Sequence, residues 1–206
     1  MDVAFPYAAI TPSLEGEVLV TLSRSRGEMT GREVARLVKW GSQAGVNRAL
    51  QRLTEHGIVT QRAAGRALLF SLNREHLAAP IVDALRDLRG QFIDRMRTSI
   101  AKWKVPPLHA SLFGSLARRD GDTRSDIDFF IVRPKRVDEE DSAWRKQLDD
   151  LTARVFAWTG NRLGVSELSE AELGQLRRKR PAIAGDLERD AIDLAGPPIQ
   201  RLLGDR

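Results

Sequence analysis

The chain has 206 residues, enough for one large domain or two small ones. Hydrophobic residues make up 42% and charged residues 30%, the ordinary balance of a soluble globular protein. The formal net charge of +5 favours phosphate-rich partners, and the absence of cysteine excludes disulfides and thiolate zinc sites and indicates a reducing cytoplasm. Met1 to Ile10 has no basic stretch leading into an apolar core, so no signal peptide is expected. No apolar run approaches the roughly 18 residues of a membrane span.

The chain opens with a helix pattern. Ser13 is placed as an N-cap before the apolar positions Val18, Leu19 and Leu22. Thr30 and Glu33 have the spacing of a capping box, followed by Val34, Ala35, Leu37 and Val38, with Gly41 as the stop. Ser42 opens a third helix with Val46, Leu50 and Leu53 on one face, closed by Gly57. Two strand-like runs follow, Ile58 to Gln61 and Ala67 to Leu72, and the glycine in Ala63-Ala64-Gly65-Arg66 suits a hairpin between them. From His76 to about Trp103 the period is helical, through Leu77, Ile81, Leu85, Leu88, Phe92, Ile93, Met96 and Ile100. Pro80 suits its first turn, Gly90 weakens it locally and Pro106-Pro107 ends it.

A compact α/β pattern comes next. Strands are expected over His109 to Phe113, Ile127 to Val132 and Leu163 to Leu168. Ser142 to Thr159 is a helix behind the acidic run Asp138 to Asp141, which suits a helix N-terminus. Ser169-Glu170-Ala171-Glu172 and Pro181 each open a further helix.

Three helices and a hairpin in this order resemble the winged-helix fold of bacterial transcription regulators, over about residues 13 to 75. The stretch Ala44-Gly45-Val46-Asn47-Arg48-Ala49-Leu50 through His56-Gly57-Ile58-Val59 carries the resemblance best. It implies that the third helix enters the major groove of double-stranded DNA while the wing touches the backbone. Base reading needs polar side chains on the outer helix face, where Gln43, Asn47, Arg48 and Gln51 stand. The wing offers Arg62 and Arg66. From Ser42 to Arg74 the arginines 48, 52, 62, 66 and 74 face Glu55 alone. The bland alternative is a winged helix used only for protein contacts or dimerisation.

The sharpest signal is Leu112-Phe113-Gly114-Ser115-Leu116-Ala117-Arg118, followed by Ser125-Asp126-Ile127-Asp128-Phe129-Phe130-Ile131-Val132. It resembles the nucleotidyltransferase signature of the DNA polymerase beta superfamily, with a Gly-Ser turn, about ten residues, then Asp-x-Asp at a strand start. The resemblance spans about residues 108 to 204, and the tail from Asp190 through Gly196 to Leu202-Leu203 resembles the way small members end.

Chemistry accounts for the spacing. Asp126 and Asp128 lie two apart on a strand and share a face, about 6.6 Å apart along it. Two bare carboxylates at that range repel by about 0.6 kcal/mol in water, or about 2.5 kcal/mol at an effective dielectric of 20. A cation removes that cost, and hard oxygen ligands beside a phosphorylated substrate indicate Mg²⁺. Gly114 lets the backbone approach a phosphate, the amides after it open a helix that favours anions, and Ser115 adds a hydroxyl. By this reading Gly114 and Ser115 hold the β- and γ-phosphates of a nucleoside triphosphate while the aspartates hold metal at the α-phosphate. Arg118 pairs with the triphosphate, or with Asp120 or Asp122.

Active members of that superfamily usually bring a third carboxylate from a later strand, here Asn161 to Leu168. If Leu163 and Val165 face the core, the other face shows Arg162, Gly164 and Ser166, with no acid. Glu167 has the wrong parity unless a bulge intervenes. A lone buried glutamate is costly, so the strand is expected to end or bulge at Ser166 and turn Glu167 outward.

His109 is expected in the core or at an edge, and His56 and His76 at helix ends. Three scattered histidines make no zinc site, and there is no phosphate loop of the Gly-x4-Gly-Lys-Ser/Thr type. The basic run Arg177 to Arg180 is a solvated helix end or a contact for nucleic acid or an acidic partner.

The fold expected is α+β: a three-helix winged helix-turn-helix over 1–75, a linker helix over 76–105 and a small nucleotidyltransferase fold with a mixed sheet over 106–206. The function expected is Mg²⁺-dependent transfer of a nucleoside monophosphate to a protein, an RNA end or a small molecule, by a cytoplasmic protein tethered to DNA. The rival is a DNA-binding regulator whose degenerate transferase domain senses nucleotide. A protein partner or acceptor and a homodimer are left open.

Overall fold

The computed structural model describes residues 1–2, 4–118 and 125–204. The chain divides into two compact units, Pro6–Leu88 and Met1–Phe5 with Arg89–Arg206.

In the first unit Ser13 caps α1 (Leu14–Arg24) by accepting from the Gly16 amide. Met29–Thr30 forms a two-residue strand, β1, too short to leave a periodic signal. Thr30 and Glu33 make the expected reciprocal capping box at the head of α2 (Gly31–Leu37). Ser42 caps α3 (Gln43–Glu55), which buries Val46, Ala49, Leu50 and Leu53. β2 (Val59–Ala64) and β3 (Ala67–Leu72) pair antiparallel in full register, so the turn is only Gly65-Arg66, with Gly65 at φ +61°. The three-stranded sheet has the order β1-β3-β2.

The long helix, α4, runs over Ala79–Ile100 and not from His76. Residues before it form turns, with the His76 amide bonded to the Asn73 carbonyl and the Ala79 amide to that of His76. Leu77 and Ile81, expected on the core face, are 95% and 62% exposed. Leu37 of α2 is likewise exposed.

The second unit is built on a four-stranded mixed sheet of order β6-β5-β4-β7. Its strands are β4 (His109–Leu112), β5 (Ile127–Arg133), β6 (Leu163–Ser169) and β7 (Ile192–Ala195). β4 is antiparallel to β5 and β7, and β5 is parallel to β6. The α+β class and the mixed sheet match expectation, but β7 is not among the strands that periodicity predicts. One sheet face packs Ile127, Phe129 and Ile131 against Met96 of α4 and against Trp144 and Leu151 of α6 (Ser142–Thr159). The other packs Phe130 and Val132 against Leu173 of α7 (Glu170–Lys179), Leu187 of α8 (Ala182–Asp190) and Leu203 of α9 (Ile199–Leu203). Among the described residues no helix is long and apolar enough to cross a membrane.

Candidate functional site

β4 ends at Leu112, and Gly114 opens the single turn of α5 (Gly114–Arg118). Gly114 sits at φ +65°, in the left-handed region where a side chain is strained. A Cβ there would lie 2.9 Å from Asp128 Cγ and 3.3 Å from its Cβ. Only glycine therefore lets the turn lie against the Asp128 side chain. The next amide, that of Ser115, donates to the Asp128 carboxylate. The sequence motif is thus one physical contact, in which the Gly-Ser turn grips the second aspartate. That amide is therefore engaged by Asp128.

Asp128 is half-buried and Asp126 exposed at the head of β5, with Ile127 between them in the core. Burial pushes the Asp128 carboxyl above its ordinary value; the Ser115 amide opposes this, Asp126 reinforces it, and Arg118 opposes it again. The start of β5 is pinned by the buried Asn161, whose Nδ2 donates to the Ser125 carbonyl at 3.0 Å. Its Oδ1 accepts from the Met1 amino group at 2.8 Å. Nothing in the sequence pattern marks Asn161, since a polar residue between a helix and a strand is ordinary loop chemistry.

Arg118 Nη1 lies 3.9 Å from Asp190 Oδ2, at the end of α8. The sequence marks Asp190 only as part of the tail, not as a partner for Arg118. Asp120 and Asp122, the other partners considered for Arg118, lie outside the described residues.

The register of β6 decides the third acid. Asp128 is opposite Gly164, and Phe130 opposite Ser166. Among the described residues of β6, then, the face of Asp128 carries Gly164, Ser166 and Leu168. Glu167 pairs with Ile131 and shares its direction, toward α6. The expected bulge is absent, since pairing with β5 runs unbroken from Leu163 to Ser169. Glu167 does not turn outward either. Its Oε1 accepts from Arg133 Nε at 2.7 Å and from Trp144 Nε1 at 2.9 Å, which offsets the cost of burial.

Asp126 and Asp128 are carboxylates of the kind that could hold a hard cation together with other ligands. Mg²⁺ is commonly held by one or two carboxylates together with substrate phosphates and water. Among the described residues no group of three or more His, Cys, Asp or Glu could hold a metal without such help. His109 is fully buried, with Nδ1 2.9 Å from the Pro197 carbonyl, and belongs to the core.

In the first unit, Gln43, Asn47 and Arg66 line one open concavity of about 840 Å³, together with Gln51, Gln61 and Arg32. Gln43 Nε2 donates to Asn47 Oδ1 at 3.0 Å. Arg48 is exposed outside its lining. Arg62 is also outside it and is bound to Glu28, with Nε 3.1 Å from Oε1. Arg32, at the start of α2, carries no signal of its own in the sequence, because only the fold brings α2 beside the hairpin.

These features define an α+β unit with a Gly-Ser turn clamped to an Asp-x-Asp strand. Residues 94–178, about two fifths of the chain, match the family model described as a nucleotidyltransferase domain. The match contains the Gly-Ser turn, the aspartates and β6, and it supports nucleotidyl transfer, with a nucleoside triphosphate as substrate, in this unit. No curated protein and no solved structure matches the chain.

Proposed function

We propose that the second unit transfers a nucleoside monophosphate from a nucleoside triphosphate to an acceptor, with Asp126 and Asp128 as the ligands of Mg²⁺. The observation that carries this is the contact between Gly114, the Ser115 amide and Asp128 beside Asp126. It fixes the Asp128 carboxylate, beside Asp126, at the mouth of a turn able to meet phosphate. Asp126 and Asp128 present their oxygens at the α-phosphate, Gly114 gives the chain close approach, and the Ser115 hydroxyl and Arg118 hold the outer phosphates. Mg²⁺ bound there would polarise the phosphoryl oxygens and draw charge from the leaving group. The acceptor oxygen forms a bond to the α-phosphorus as the bond to the bridging oxygen breaks. Pyrophosphate departs, and the acceptor proton passes to solvent or to a base on the acceptor.

The first unit is, in this proposal, a winged helix that binds double-stranded DNA. The order α1-β1-α2-α3-β2-β3 and the concavity between α3 and the hairpin support it. Gln43, Asn47 and Arg48 lie toward bases, and Arg66 toward phosphate. The acceptor is a protein, an RNA end or a small molecule, and the chain works in the cytoplasm.

One observation favours a second reading, a DNA-binding regulator that senses nucleotide without turnover. The face of β6 beside Asp128 carries Gly164 and Ser166 where active relatives of this superfamily would bring an acid. Incubation with each α-labelled nucleoside triphosphate, Mg²⁺ and cell lysate separates the two. Covalent label that disappears in Asp126→Asn/Asp128→Asn supports transfer. Nucleotide binding without label at any acceptor supports sensing.

A further inference from the structure

On the sheet face opposite Asp128, α4 and α6 leave a groove between them. Two concavities of about 310 and 490 Å³ share Ser99 and make it continuous. Each wall is one helical stripe. On α4 the lining positions 91, 94, 95, 98 and 99 follow the i, i+3, i+4 spacing, with Lys102 in the turn just beyond the helix, and on α6 positions 143, 147, 150, 154 and 158 do the same. From Gln91 to Ser99 the helical part of this wall is about 12 Å long.

The groove is basic. Arg95, Lys102, Lys104, Lys146 and Arg154 line it against the carboxylates Asp94 and Asp150. Both carboxylates are already paired, Asp94 with Arg97 at 3.3 Å and Asp150 with Lys146 at 3.6 Å. Lys102, Lys104 and Arg154 form no ion pair among the described residues, unlike Arg62, Arg74, Arg133 or Arg180 elsewhere in the chain. The groove is also aromatic. Trp103 lines one end, held edge-on against Trp144 at 5.7 Å between centroids. Trp158 lines the other, with the Arg95 guanidinium 5.9 Å from its centroid.

We propose that this groove binds single-stranded nucleic acid. Unpaired cations spaced along the groove track a phosphate backbone, and the half-buried rings of Trp103 and Trp158 at its ends offer bases an aromatic contact. The Arg95 guanidinium over Trp158 adds a planar cation on which a base can stack. A 310 Å³ hollow does not admit a duplex, whereas one strand lies along it with bases turned inward. An acidic peptide would satisfy the cations but leave the aromatic faces without a matched partner. The site is separate from the duplex surface proposed for the first unit and from the Asp126–Asp128 pair.

The test is fluorescence anisotropy of the full chain with labelled oligo(dT) and oligo(U) of about twelve nucleotides, within the span single-strand sites cover. Lys102→Glu/Lys104→Glu/Arg154→Glu should weaken binding at least about tenfold. The milder alanine triple should lower the salt slope by about two, near 0.7 for each phosphate that loses its cation. Duplex binding, probed through Arg66→Ala, should be unaffected by either triple. Single-strand affinity unchanged in both triples would overturn the proposal. So would an abasic strand that binds as tightly as oligo(dT), or a poly-glutamate peptide that binds as tightly as either oligonucleotide.

Discussion

Glu167→Gln tests how the sheet divides stability from chemistry. Glu167 and Arg133 are 15% and 11% exposed, and the same carboxylate oxygen also accepts from the Trp144 indole. Removing one partner of a buried ion pair costs about 3–5 kcal/mol, mostly because the other charge is left uncompensated. Two features reduce this here. A Gln carbonyl oxygen in the place of Oε1 still accepts both hydrogen bonds, without the charge, and Arg133 keeps the Val137 carbonyl and Glu139 at 3.9 Å. The expected loss is about 2–3 kcal/mol, which lowers the melting temperature of a unit of this size by about 8–12 °C. Thermal unfolding followed by circular dichroism reads that shift. Transfer assayed well below the new transition should stay within a fewfold of wild type, because Glu167 lies on the far side of the sheet from Asp128. Loss of a general base would instead cost about 10² to 10⁴ in rate. A hundredfold loss of transfer with an unchanged melting temperature would refute this placement of Glu167. Glu167→Met/Arg133→Met should recover most of the stability, since apolar replacement of both partners is often near neutral.

Asp128→Asn is expected to cost at least about a hundredfold in transfer, with the unfolding transition kept; a metal acting on the phosphoryl group is worth several kcal/mol, and each 1.36 kcal/mol is tenfold. In gel-shift titrations Arg66→Ala should weaken all duplex sequences alike and reduce the salt slope by about one. Arg62→Ala should do less, because Arg62 starts from an ion pair with Glu28 that DNA contact must break. Burial raises the Glu17 carboxyl above its ordinary value, with the Lys39 and Trp40 amides opposing. The folded state therefore holds that proton more tightly than the unfolded chain, and the stability this contributes is present at low pH and lost as pH rises through the folded value. Glu17→Gln should thus exceed wild type in stability at pH 7, by a margin that closes as pH falls below the ordinary carboxylate range. A margin constant with pH would contradict it.

Local signals carried the helix starts. Ser13, Thr30, Ser42 and Ser169 all cap as their spacing indicates, because a cap needs only a side chain and an amide three residues away. Strand parity likewise placed Asp126 and Asp128 on one face and Glu167 on the other. What escaped depends on remote partners. Glu167 faces inward because Arg133 and Trp144, 34 and 23 residues away, meet it there. β1 and β7 are short strands that exist only through pairing with β3 and β4. Leu77 and Ile81 fit a helical period, but periodicity alone does not say which turns lie within a helix or what covers them.

Among the described residues of β6 no acid stands opposite Asp128, and in the proposed reaction this bears on the choice of acceptor. A Cβ added at Gly164 would meet its nearest heavy atom, the Ile127 carbonyl oxygen, at 3.9 Å, and Asp128 Oδ1 at 4.0 Å. A side chain at Gly164 would therefore find room beside the aspartates. In the proposed reaction, Asp126 and Asp128 are committed to metal, and neither is free to take the acceptor proton. A hydroxyl that loses its proton only in the transition state then forgoes the rate that a positioned base supplies. An acceptor that ionises more readily, such as a tyrosine phenol with its ordinary pKa of about 10, forgoes less of it. An acceptor that brings its own base, from a neighbouring side chain of a protein partner, forgoes least. Under the proposed function, and with no acid beside Asp128 among the described residues of β6, acceptors that carry their own activation, such as a protein side chain, are expected to label most readily.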